Sequence, residues 1–457
     1  MRKRALSILL ILVLALSVLP AGAFAAHTVD IDEANFPDPV FRQYVLDKLD
    51  TKIKDGILNA FELNAATWVN VSGLGVKDLR GIEHLYALTA LDCSNNSLTA
   101  LDVSKNTELK ELYCFTNAIK SLDVRKNTEL QTLRCQSNKL TSLNLSKNTK
   151  LTYLNFAVNE ISSVDLSKNT ALTALQCGSN KLTSLDVTRN TALSAVECSG
   201  NKLTSLDLTH CPDMEMVNCC GNSIKTLDLR GCKALSKALR DTANVEYHPF
   251  TNACYIANNA SGSYLAVTDY ATAIRLGNSA MPKITAQPRN VKAASGKKAV
   301  FSVKATGKDL TYQWLSLKKG AEEYKKAGTK ASLTVAAKPA LNGAKYRCLV
   351  RNRDWILFSN AAKLTVISAP KILSQPRSAS VKAGSKVTFK VKADGSALKY
   401  QWYYQKPGAN KWVRIAKATK ASWTVKASKK VNGYKYRCLV YNEAGKAYSK
   451  AARLTVK

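Results

Sequence analysis

A period of 21 residues runs from Leu88 to Leu235 and limits what the rest of the chain can be. Leu88, Leu109, Leu130, Leu151, Leu172, Leu193 and Met214 share one position of the unit. Leu91, Leu112, Leu133, Leu154, Leu175, Val196 and Val217 share the next. Asn96, Asn117, Asn138, Asn159, Asn180, Asn201 and Asn222 form an unbroken column. A fixed period of this size means stacked units, each too small to bury its own apolar face. Leu91 and Cys93 alternate with Asp92 and Ser94, the period-two pattern of a short strand. Each strand is therefore expected to pair in parallel with its copy in the next unit. The Leu columns then form one continuous core, and the Asn column bonds backbone groups that the turn after the strand leaves open.

Six of the twelve cysteines follow the period: Cys93, Cys114, Cys135, Cys177, Cys198 and Cys219, with Phe156 in the missing slot. They read as small buried apolar residues, because a line of thiols is not a tetrahedral metal site. Cys211 and Cys232 differ. They replace Asn in the column Asn106, Asn127, Asn148, Asn169, Asn190 and lie one rung apart. At a rung spacing of about 5 Å they are within disulfide reach, so a Cys211–Cys232 bond and two free thiols are both open. The outward Asp column, Asp102 to Asp228 with Asn144 inserted, is expected to take hydrogen bonds from the residues that follow each Asp.

On the outward strand face, Tyr113, Phe115, Arg134, Tyr153 and Asn155 fall close together. Aromatic residues around an Arg on an exposed sheet suit a binding hot spot, and ordinary surface variation is the alternative. Ahead of the repeats, Asp38-Pro39 opens a helix carrying Val40, Phe41, Tyr44, Val45 and Leu49. The following stretch, 50–62, has an EF-hand flavour. With Gly56 at loop position six, only Asp55, Asn59 and Glu62 fit as ligands. They are weak metal candidates, calcium affinity should be poor or absent, and no metal or other cofactor is expected.

The C-terminal half is a tandem duplication. Gln287-Pro288 recurs as Gln375-Pro376, and Tyr312-Gln313-Trp314 as Tyr400-Gln401-Trp402. Asn342-Gly343 with Tyr346-Arg347-Cys348 recurs as Asn432-Gly433 with Tyr436-Arg437-Cys438. Alternating strands with a Trp and then Tyr-x-Cys carry the signature of an immunoglobulin sandwich. The partner Cys is missing, since that stretch reads Phe301-Ser302-Val303 and Phe389-Lys390-Val391. Cys348 and Cys438 are therefore expected to be free and buried beside the Trp.

Charge divides the chain. Residues 283–457 hold 39 Lys plus Arg against 6 Asp plus Glu, a net +33 out of a total of +34. Such a field attracts polyanions in a salt-dependent way, solubility being the plainer reading. A basic start at Arg2, Lys3 and Arg4, an apolar run to Leu19 and Ala23-Phe24-Ala25 read as a secretory signal. No wall-sorting motif or later membrane span is read, so the exported chain is expected to be soluble. No Ser-His-Asp spacing, zinc motif or phosphate loop occurs, and an enzyme is not expected. Nucleic acid is a poor partner for an exported chain with no recognition element.

The first eleven unit positions, L-x-x-L-x-C-x-x-N-x-L, match the leucine-rich repeat pattern. With the Ser-Lys-Asn-Thr segments and the EF-like cap, residues 30–235 resemble the internalin-like surface proteins of Gram-positive bacteria. Residues 283–457 resemble the immunoglobulin-like modules appended to them. The units here have 21 rather than 22 residues. The resulting expectation is a mainly β chain with a small helical cap: signal peptide 1–25, cap 27–70, leucine-rich repeats 71–235, C-terminal cap 236–282, and immunoglobulin-like modules 283–367 and 370–457. The resemblance implies a secreted or surface-bound adhesion-type protein. Its repeat sheet would bind a protein or glycan, and its basic tandem would be a spacer holding anionic wall polymer or anionic glycan without a covalent bond. A self-associating envelope protein is the alternative.

Overall fold

The computed structural model describes residues 28–241, 245–248, 253–258, 264–269, 271–321 and 324–457. The expected signal peptide lies outside the described residues. Two compact units divide the chain, one of residues up to 245 with 251–277, the other of 246–250 and 278–457.

In the first unit, eight strands from Trp68–Asn70 to Met216–Asn218 pair in parallel and in register, Leu91 with Leu112, Leu112 with Leu133 and so on. The Leu and Cys columns are fully buried, as is Phe156 in its Cys slot. The Asn column does what the turn needs. Asn138 Nδ2 donates to Cys114 O at 2.9 Å and Cys135 O at 3.2 Å, and its Oδ1 accepts from Ile119 N at 3.0 Å. One side chain thus ties two rungs together. The residue before each Asn adopts a left-handed backbone, as at Ser137 (φ 56°), Val158 (φ 56°) and Gly200 (φ 61°). Val158 and Thr116 (φ 55°), both β-branched, are the costly members of that column.

The second Asn column is buried completely. Asn148 Nδ2 donates to Val124 O and Asn127 O, both at 2.8 Å. Here the structure chooses between the two arrangements left open. Cys211 and Cys232 are free thiols and not a disulfide. Each points its Sγ at a carbonyl of an earlier rung, Asn190 O at 3.7 Å and Leu208 O at 3.2 Å. They stand in for the Asn donors they replace. The Asp column takes backbone amides two residues on, as from Ser104 to Asp102 and Thr188 to Asp186. Arg125 adds its side chain to Asp123 and lowers that carboxyl to about 2.

Helix α1 (Pro39–Lys48) caps the N-terminal end, with Asp38 as N-cap and Phe41 and Val45 buried. Val40, expected on its core face, is exposed. Helix α2 (Ala60–Ala65) follows with a capping box from Asn59 and Glu62. At the other end Tyr264–Asp269 adds in parallel to Met216–Asn218, and Ala253–Asn258 pairs antiparallel with it. Helix α3 (Lys233–Asp241) precedes them and was not foreseen.

In the second unit both modules are sandwiches built alike. Strands Thr311–Leu317 and Lys345–Arg351 pair with Trp314 opposite Cys348; Lys399–Gln405 and Lys435–Asn442 pair with Trp402 opposite Cys438. The absent partner cysteines are replaced by aromatic packing. Phe301 stacks on Tyr346 at 4.5 Å and Phe389 on Tyr436 at 4.8 Å, beside Trp314 and Trp402. Cys348 and Cys438 are free and buried. The repeated Gln and Asn fasten the last strands: Gln375 Oε1 accepts from Lys450 N and Asn432 Oδ1 from Val456 N. Asn442 Nδ2 donates to Ser368 O and Ser396 O, both at 2.7 Å, bracing the joint between the modules.

Two expected outcomes follow from the ladders. Asn148→Ala strands two buried carbonyls and should cost about 1–3 kcal/mol, read by urea unfolding. The ladder thiols should ignore a disulfide reagent at pH 8 and react once the chain is unfolded. Burial pushes Cys135 up to about 12 from an ordinary 9.0. Its contribution to stability is therefore full below pH 9 and is lost as pH rises toward 12, which alkaline unfolding curves of Cys135→Ala against the parent would show.

Candidate functional site

Parallel stacking sets equivalent outward residues about 5 Å apart, which decides what can touch on the open face of the repeat sheet. In register, Tyr113 lies opposite Arg134 and Arg134 opposite Asn155. The Arg134 guanidinium sits 4.7 Å from the Tyr153 ring centroid and 5.7 Å from that of Tyr113. Tyr113 Oη donates to Glu111 Oε2 at 2.7 Å. Burial first, and Glu111 second, raise its phenol to about 12. Tyr153 Oη and Asn155 Nδ2 both donate to Gln176 Oε1, at 3.0 and 2.6 Å.

The structure thus brings Tyr113, Arg134 and Tyr153 into one stack and gives the other two candidates different places. Asn155 is buried, and its Oδ1 accepts from Ala157 N at 3.0 Å, so it positions Gln176 and the turn and presents little to a ligand. Phe115 lies two residues past the end of its strand, half-buried and outside the stack. Glu111 and Gln176, which anchor the two phenols, were missed as site residues although they occupy the same outward columns as Tyr153 and Arg134. Among the described residues Arg134 makes no hydrogen bond through its guanidinium; its Nε and the Gln136 Oε1 are shielded and unpartnered. The arrangement offers a planar cation with open donors between two ring faces. It can grip a carboxylate, a phosphate or a backbone carbonyl.

The weak metal candidates are engaged with backbone. Glu62 accepts from Thr51 N at 3.0 Å, Lys52 N at 2.8 Å and Asn59 N at 3.1 Å. Asn59 Oδ1 caps α2, and Asp55 Oδ1 accepts from Ile57 N at 3.0 Å. The Glu62 carboxylate gathers the loop amides itself and also accepts from Asn59 Nδ2 at 2.7 Å, so its oxygens are engaged within the loop. Among the described residues, no group of three or more His, Cys, Asp or Glu could hold a metal, and no helix is long and apolar enough to cross a membrane.

Residues 370–456 match the immunoglobulin I-set domain. Endoglucanase C of Cellulomonas fimi is 28% identical over 179 residues, 38% of this chain. That match spans 16% of the enzyme's own length. Among solved structures, internalin C2 of Listeria monocytogenes aligns with 45% of this chain and 92% of its own, at 23% identity and a TM-score of 0.41. The functional domain of InlJ from the same organism, described as including a cysteine ladder, aligns with 75% of this chain and 99% of its own, at 19% identity and a TM-score of 0.32. The immunoglobulin-like reading of the last module accords with the family match, and the paired strands themselves show repeats followed by sandwiches.

A binding arginine and a structural asparagine should separate under mutation. Arg134→Gln should change the urea unfolding free energy by no more than about 1 kcal/mol, since only ring contacts are lost. Asn155→Ala should cost about 1–3 kcal/mol, because Gln176 and the Ala157 amide lose their partner.

Proposed function

We propose that the chain is a surface-displayed binding protein of the adhesion type from a Gram-positive bacterium. The observation that carries this reading is the Tyr113–Arg134–Tyr153 stack, a rigid aromatic and cationic patch on the open sheet with its guanidinium donors unused. A protein or glycan ligand would dock there, the flanking small and polar positions making the rim. The immunoglobulin-like tandem would act as spacer. Its net +33 would hold the anionic polymers of the wall, or anionic glycans of another surface, by long-range attraction. The part-length similarity to an endoglucanase, over 16% of that enzyme's length, supports a shared module and does not by itself bring catalysis with it.

The test is sedimentation of the full chain with Gram-positive cell walls across a salt series. The chain should pellet at low salt, release steeply above about 0.3 M as screening shortens to a few ångströms, and fail to pellet with walls stripped of anionic polymer. Pelleting that ignores both salt and stripping would sink the electrostatic attachment. Arg134→Gln should leave this pelleting unchanged while weakening adhesion of protein-coated beads to target cells; unchanged adhesion would remove the sheet site.

A further inference from the structure

We propose that the second immunoglobulin-like module carries its own saccharide site, built around Arg437 and taking a carboxylate-bearing sugar of an acidic polysaccharide. This goes beyond the diffuse attraction proposed above, which needs no particular residue. The Arg437 guanidinium lies between two rings, 4.2 Å from the centroid of Trp412 and 4.4 Å from that of Tyr448. Tyr403 meets Tyr448 edge-on at 6.5 Å, and on the paired strands Tyr403 lies opposite Arg437. Among the described residues Arg437 makes no hydrogen bond or ion pair, and its Nε is shielded without a partner. Arg414, opposite Tyr403 on that strand's other side, shows the ordinary fate: its Nε donates to Gln401 Oε1 at 2.8 Å.

An arginine clamped on both faces has lost side-chain freedom and part of its water, yet its in-plane donors remain open. A planar carboxylate meets that edge with two parallel hydrogen bonds. The surroundings say what carries the carboxylate. Tyr448 is 45% exposed and offers ring surface that the apolar C–H face of a pyranose can cover. A polyol phosphate has the charge but no ring for that surface. Between residues 370 and 457 there are 21 Lys and Arg against Asp394 and Glu443 alone, a field that favours an acidic chain over a neutral one. The outward strip continues from Arg437 to the paired Tyr441 and Lys399, about 13 Å along the strands. Both residues line a cavity of about 510 Å³ at the joint between the modules, with Asn442 and Glu443. The strip therefore has room for more than one sugar. In the first module the positions of Tyr403 and Tyr448 hold Leu315 and Phe358, both buried, so this open form of the face belongs to the second module.

The experiment is calorimetric titration of the full chain with trigalacturonate at 0.3 M salt, with neutral maltotriose as control. Wild type should bind the acid sugar and not the neutral one. Arg437→Lys keeps the charge but loses the planar fork, and should weaken binding at least tenfold. Trp412→Ala, outside the core, should do the same. Lys386→Ala with Lys426→Ala removes two charges from the opposite sheet and should stay within twofold of wild type. Tryptophan fluorescence and circular dichroism check that each variant is folded. The site is overturned by no binding in wild type, by equal binding of maltotriose, by an Arg437→Lys variant indistinguishable from wild type, or by a loss in the double Lys variant as large as that of Arg437→Lys. Wall pelleting should persist in Arg437→Lys, so failure of this site and failure of the diffuse attachment are read separately.

Discussion

The carboxamide ladder holds the repeat unit together. Each Asn from Asn96 to Asn222 donates to a carbonyl of the rung before and to its own turn, and the inner side chains accept an amide of the preceding repeat. A three-residue strand has too few backbone bonds to hold its register alone. The Asn side chain supplies the missing ones, and it does so at the same point of every unit. Register then follows, and with it the burial of the Leu and Cys columns. The outward columns are aligned by the same bonds. Arg134 can lie over Tyr153 only because their rungs are held a strand spacing apart, so the candidate site inherits its geometry from a ladder it never touches.

Most of the architecture was legible because periodic sequences state their contacts repeatedly. The Asn, Leu and Cys columns announced strand, core and turn, and Trp, Tyr and Cys at fixed spacing announced the sandwiches. What failed to show is physical in kind. Helix α3 begins at Lys233, at the very end of the period, and runs on to Asp241, where no period helps. Cys211 and Cys232 have the proximity of a disulfide, but proximity does not say which way a thiol points; the carbonyls left by the replaced Asn residues decide it. Asn155 shares an outward column with Arg134, yet it turns toward Gln176 and Ala157, a choice made by a neighbour on the next rung and by its own turn. The Arg437 clamp escaped notice altogether, since Trp412 sits in a loop and Tyr448 on another strand, and no local pattern joins them.

The two halves answer a missing constraint in different ways. The repeats have free thiols where exported proteins often have disulfides, and they compensate with a continuous core and ordered side-chain ladders. The sandwiches lack the partner cysteines, and Phe301 and Phe389 fill that place by stacking on Tyr346 and Tyr436. An aromatic pair gives up the covalent restraint on the unfolded chain but retains burial and geometry. Among the described residues, neither half then relies on a disulfide for its fold.

The same contrast separates the arginines. Arg125 and Arg230 pair with the Asp two residues before, and Arg414 bonds Gln401; each has a structural partner within reach. Arg134 and Arg437 have rings on both sides and, among the described residues, no acceptor from the protein. Holding a guanidinium in that way costs side-chain entropy and some hydration, and cation–π contact of about 0.5–2 kcal/mol returns part of it. The arrangement lowers the cost of binding an anion, because the donor is already oriented and partly dehydrated before the ligand arrives. A field of lysines cannot do this, since each ammonium keeps its water and its freedom. Long-range charge can bring an acidic ligand to the tandem, but discrimination between acidic ligands has to come from side chains fixed in advance, and Arg437 is such a residue.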